Sequence, residues 1–81
     1  MELEKTKAFS LDDLANTEIR NTLREVWDSL REKGYNPTNQ IVGYLISGDP
    51  GFISSYQDAR KKITKFDRST IVALLLKEYI K

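Results

Sequence analysis

The chain of 81 residues contains no cysteine and no histidine. Without cysteine there is no disulfide framework, no thiol nucleophile and no thiolate metal site, and an intracellular home is the easier reading. Losing histidine as well removes most zinc sites and the usual neutral-pH general base. Any chemistry would fall to carboxylates, lysines and hydroxyls, so an enzyme is not expected. The longest apolar runs, Ile41 to Ile46 and Ile71 to Leu76, are six residues each, against roughly 20 for a bilayer-spanning helix. The opening residues MELEKTKAFSLDD lack the basic-then-apolar order of a signal peptide. A soluble, cytoplasmic protein without membrane insertion is expected. One-sided charge is missing too: the net is +1, which gives no global field to attract nucleic acid or anionic lipid.

What is present is one small domain's worth of ordinary globular sequence, 40% hydrophobic and 31% charged. Its charge is unevenly placed. Residues 1–18 carry five acids and two lysines, whereas 60–68 carry five bases and one acid. The first sixteen residues show no sustained period and read as a mobile N-terminal tail, 1–16, ahead of a helical domain, 17–81. From Thr17 the pattern changes. Ile19, Leu23, Val26 and Leu30 form one apolar stripe at 4-3-4 spacing with Trp27 beside it, predicting a helix capped by Asn16 or Thr17 and stopped at Gly34.

Gly34-Tyr35-Asn36-Pro37 reads as a turn. Gln40–Ser47 is apolar nearly all round, so periodicity does not separate a central helix from a buried strand; the helix is preferred. Ser47-Gly48-Asp49-Pro50-Gly51 is a chain-reversing loop, without the Gly-Lys-Ser/Thr or GxGxxG pattern of a phosphate cradle. A third helix is expected from Ser54 or Ser55, with Tyr56, Ala59, Ile63 and Phe66 as its stripe. A fourth, capped by Asp67, carries Ile71, Val72, Leu74, Leu75, Leu76, Tyr79 and Ile80. That last helix is apolar on more than one side, which suggests self-association, a partner groove, or a central core helix. The expected fold is all-α, a single-domain bundle of about four to five short helices.

Few residues invite chemistry. Glu25, Asp28 and Glu32 lie three and four apart beside Arg24 and Arg31, the pattern of a solvated, ion-paired helix face rather than of a catalytic carboxylate pair. The run Asp58–Arg68 interleaves Arg60, Lys61, Lys65 and Arg68 with apolar residues. Guanidinium forks and ammonium groups there suit a protein or phosphoprotein partner, and a small DNA-binding helical regulator using 60–68 is the alternative reading. In the tail, Thr6 between Lys5 and Lys7 is the hydroxyl best placed for a kinase, with Ser10 competing.

The run GYNPTNQIVGYLISGDP from Gly34 to Pro50, followed by Asp58-Ala59-Arg60, resembles the signature of the IreB/ReoM family of small Firmicute regulators. The resemblance extends from the tail threonine to Tyr79-Ile80-Lys81. It implies an all-helical homodimer without enzymatic activity and without cofactors, phosphorylated on Thr6 by a membrane-anchored PASTA-domain Ser/Thr kinase and reset by a cognate phosphatase. It further implies a role in peptidoglycan synthesis and cephalosporin tolerance, as an adaptor in Clp-protease turnover of UDP-N-acetylglucosamine enolpyruvyl transferase. Arg60, Lys65 and Arg68 match basic positions of the family's partner-binding surface, and Lys61 lies beside them. The chain departs from the family pattern at Thr64, where relatives carry arginine, at Leu3, where some have a second threonine, and at Ala73-Leu74, where glutamates are common.

Overall fold

The computed structural model describes the backbone of residues 2–81 and the side chains from Leu14 onward. The phosphoacceptor expected at Thr6, and most of the proposed tail, lie outside the residues whose side chains are described. Four α-helices follow one another: α1 (Glu2–Lys33), α2 (Pro37–Ser47), α3 (Ala59–Ile63) and α4 (Arg68–Ile80), with 3-10 turns at Pro50–Phe52 and Tyr56–Asp58 between α2 and α3. The described residues form no strand, in agreement with the all-α expectation.

Helix α1 carries the stripe that its sequence announces: Ile19, Val26 and Leu30 are buried, and Leu23 packs against them. The start expected at Asn16 or Thr17 is a correction. Both lie inside α1, because the residues before them continue the hydrogen-bonded ladder and leave no orphan N–H groups there to cap. The predicted stop holds. Gly34 takes φ +94, its N–H donates to the Arg31 carbonyl at 3.0 Å, and the Tyr35 N–H reaches back to Leu30 at 2.9 Å. This paired closure is the Schellman arrangement, and its left-handed residue is cheapest as glycine.

Two residues later α2 begins. The Asn36 side chain accepts from the Asn39 N–H at 3.1 Å, and Pro37 occupies the first turn, where its missing N–H costs nothing. The segment is helical, as preferred, but it is not buried all round. Ile41 and Tyr44 enter the core while Val42 and Ile46 face solvent. Gly48 ends it in the left-handed region at φ 80.

The third helix departs most from expectation. Instead of a helix from Ser54 or Ser55 through Phe66, α3 is five residues long and follows two consecutive left-handed residues, Gln57 (φ 53) and Asp58 (φ 61). Side-chain bonds, two of them to α1, surround this unfavourable pair. The buried Ser29 hydroxyl donates to Gln57 Oε1 at 2.7 Å, the Tyr56 hydroxyl donates to Glu32 at 3.2 Å, and the Tyr56 N–H donates to Ser54 Oγ at 3.1 Å. The break lets Ile53, Ala59 and Ile63, all fully buried, enter the core from different directions. Asp67 stands at the predicted N-terminus of α4, but its side chain makes no capping bond. Ile71 and Leu74 complete the core.

Candidate functional site

The basic residues singled out in the sequence sit on the corner where α3 hands over to α4, and the fold treats them unequally. Arg60 points back along the incoming loop, donating from Nε to the Ile53 carbonyl at 2.9 Å. Its own N–H donates to the Ser54 carbonyl at 3.1 Å. Arg68 donates to the Leu45 carbonyl at 3.0 Å, close to the C-terminal end of α2, where cations are favoured. Both arginines are therefore straps as well as charges. Each guanidinium retains further N–H groups beyond the bond described, since the fork carries five.

The side-chain ammonium groups of Lys61 and Lys65 make no polar contact among the described residues, and both residues are exposed. Lys62 is spoken for, with Nζ 3.3 Å from Glu25 on α1. Arg60 and Lys61 line one shallow hollow together with Pro50, Ser55, Asp58 and Thr64. Arg68 belongs to another, beside Leu45, Ser69, Val72, Ala73 and Leu76. The structure thus brings Arg60 and Lys61 together and sets Arg68 apart, with Lys65 lining neither hollow.

Sequence reasoning missed the hydroxyls of Ser55 and Thr64 as members of the first hollow. Thr64 has a structural task there: its hydroxyl donates to the Arg60 carbonyl at 2.9 Å and satisfies the end of the five-residue α3. An arginine at 64 would lack that short hydroxyl, so such a substitution would change a helix end as well as a charge.

Two cations and the Ser55 hydroxyl, against the one carboxylate of Asp58 and with little enclosure, suit recognition of a carboxylate or phosphate on a macromolecular partner. The same geometry suits DNA reading less. A recognition helix presents several side chains along a groove, whereas α3 is one turn and a half long and three of the five bases in 60–68 already hold protein groups. Among the described residues no three acidic, histidine or cysteine side chains gather as a metal site, and no buried side-chain polar atom lacks a hydrogen-bond partner. The groups whose titration the fold moves are surface pairs. The hydrogen bond to Glu32 pushes the Tyr56 phenol up, while the Lys81 hydrogen bond, helped by the Arg20 charge, holds the Glu78 carboxylate below its ordinary range against partial burial. Neither faces a cleft of the basic corner.

A family model described as IreB regulatory phosphoprotein matches residues 4–81. The match takes in Thr6, the whole Gly34–Pro50 signature and the basic corner.

Proposed function

Because this chain belongs to the IreB family of regulatory phosphoproteins, we propose that it is a non-enzymatic cytoplasmic adaptor whose switch is phosphorylation of Thr6 by a PASTA-domain Ser/Thr kinase, reversed by a cognate phosphatase. Its output is Clp-protease turnover of UDP-N-acetylglucosamine enolpyruvyl transferase, and through it peptidoglycan synthesis and cephalosporin tolerance. The observation that carries this reading is the joint coverage of Thr6 and of the α3–α4 corner by one regulatory-phosphoprotein match. Among the described residues, no helix is long and apolar enough to cross a membrane, which is compatible with that location.

The partner surface is Arg60, Lys61, Lys65 and Arg68. Phosphate on Thr6 adds about −1.5 to −2 charges to a segment that already carries five acids and two lysines over residues 1–18. Docking of that segment on the corner masks the cations and switches the adaptor off. The homodimer of this reading uses the outer face of α4, where Val72, Leu75, Leu76, Tyr79 and Ile80 stand exposed in a row that one chain alone leaves uncovered.

Arg60 and Arg68 hold backbone carbonyls, so their removal perturbs folding as well as binding; Lys61 and Lys65 separate the two effects. In a reconstituted degradation reaction with the transferase, the Lys61→Gln, Lys65→Gln double variant is expected to fold normally and to slow turnover at least fivefold. Unchanged turnover by that variant would remove the corner from the adaptor surface.

A further inference from the structure

Helix α1 segregates its charges. At 3.6 residues per turn, Arg20, Arg24, Trp27 and Arg31 fall within an arc of about 60°, while Glu25 and Glu32 lie on the opposite flank of the buried stripe. The acids are engaged there, Glu25 with Lys62 at 3.3 Å and Glu32 with the Tyr56 hydroxyl at 3.2 Å. On the cationic flank Arg20 pairs with Glu78 at 2.8 Å. Arg24 and Arg31 meet no carboxylate among the described residues. Arg20 and Arg24 are like charges at i, i+4, and although Arg24 and Asp28 at the same spacing are opposite in sign, they form no ion pair.

Between the two unpaired arginines lies Trp27, 39% exposed, and just beyond the helix end Tyr35, 43% exposed. Shallow hollows open on both sides of the indole. One is shared with Arg24 and Leu23, the other runs past Arg31 to Tyr35 and Pro37. Tryptophan, tyrosine and arginine are the residues that most often dominate binding energy at interfaces. Their concentration on one flank, where the guanidiniums of Arg24 and Arg31 face the single carboxylate of Asp28 and leave a positive excess, asks for an anionic occupant with an apolar centre.

We propose that the Arg24–Trp27–Arg31 flank of α1, closed at one end by Tyr35, docks an extended acidic segment of a partner protein, its two carboxylates three residues apart and an apolar residue between them seated on Trp27. The spacing follows from rise. Seven helical residues separate the guanidiniums by about 10.5 Å along the axis, and three residues of a polyproline-II peptide cover about 9.3 Å and bring the side chain back to the same edge, which the alternating faces of a β-strand do not. A nucleic-acid strand fits less well, because Asp28 borders the same hollow as Arg24 and Trp27 and repels an unbroken row of phosphates while tolerating two discrete carboxylates. This surface is separate from the α3–α4 corner, which meets α1 on the Glu25 flank, and the proposal stands independently of the adaptor role.

Trp27 is the sole tryptophan, so its fluorescence reports the site directly. The probe is the capped peptide Gly-Glu-Leu-Pro-Glu-Gly, titrated into the full chain. Expected are a saturable blue shift that weakens with added salt, a loss of affinity of at least tenfold when both peptide glutamates are glutamine, and the same loss in the protein variant Arg24→Gln, Arg31→Gln with its circular dichroism unchanged. Lys61→Gln, Lys65→Gln is expected to bind as the unaltered chain does. The proposal is overturned if the glutamine peptide binds equally well, if the arginine variant keeps its affinity, if oligothymidylate displaces the peptide at lower concentration, or if iodide fails to quench Trp27 in the free protein because a second copy covers it.

Discussion

Single residues explain the two sharp ends of the first two helices, and the glycines there do different work. At Gly34, φ is +94 and an added Cβ would meet nothing within 4 Å, so only the backbone conformation demands glycine. At Gly48, φ is +80 and an added Cβ would lie 2.8 Å from the Arg68 guanidinium carbon, displacing the strap that reaches the Leu45 carbonyl. Gly34→Ala is therefore expected to cost about 1 kcal/mol, the usual left-handed penalty of a side chain. Gly48→Ala is expected to cost about 1 kcal/mol more, the worth of a charged donor's hydrogen bond. Urea denaturation measures both. In an Arg68→Ala background the extra cost of Gly48→Ala should vanish, since the group it collides with is gone; persistence of the full cost would mean that backbone strain alone governs Gly48.

At the scale of elements, what was legible depended on whether local pattern and tertiary demand agreed. They agree in α1 from Ile19 to Gly34 and in the Asn36-Pro37 start of α2, where stripe, cap and stop residues point the same way. They disagree in the third helix. Tyr56, Ala59, Ile63 and Phe66 have helical spacing, yet Gln57 and Asp58 turn left-handed where Ser29 on α1 bonds Gln57 and Glu32 bonds the neighbouring Tyr56. Nothing in residues 54–66 encodes those partners, which lie 24 and 28 positions away. The basic corner was legible as composition, but not its division into strapped arginines and unpartnered lysines, because the carbonyls of Leu45 and Ile53 carry no side-chain signal.

The docking of α4 onto α1 carries a pH dependence. Arg20 bonds Glu78 at 2.8 Å and Lys81 bonds it at 3.2 Å, and the Glu78 carboxylate titrates below its ordinary value. A depressed folded-state pKa contributes stability above the unfolded glutamate value and loses it as pH falls through the folded one. The melting-temperature difference between the unaltered chain and Glu78→Gln should therefore be constant down to about pH 5 and shrink below it. A difference that grew on acidification would contradict the pairing.

For the whole molecule, a small core, a basic corner and a long acidic-to-basic first helix present broad surfaces for contacts. Among the described residues ten buried hydrophobics form the core, and much of the remaining apolar surface there, Ile46, Leu76, Tyr79 and Ile80 above all, faces outward. The homodimer proposed above would cover the α4 part of this surface. The family signature, not the physics of any one segment, tied this scaffold to phosphorylation, because Thr6 has no distinguishing chemistry beyond its lysine neighbours.

The most direct measurement is intact-mass and peptide-mapping spectrometry of the full chain after incubation with ATP and a PASTA-kinase catalytic domain, alongside a Thr6→Ala control. A single added phosphate, mapped to Thr6 and absent from the control, is the predicted result. No phosphate, or phosphate only on Ser10 or Thr17, would contradict the switch at its central residue.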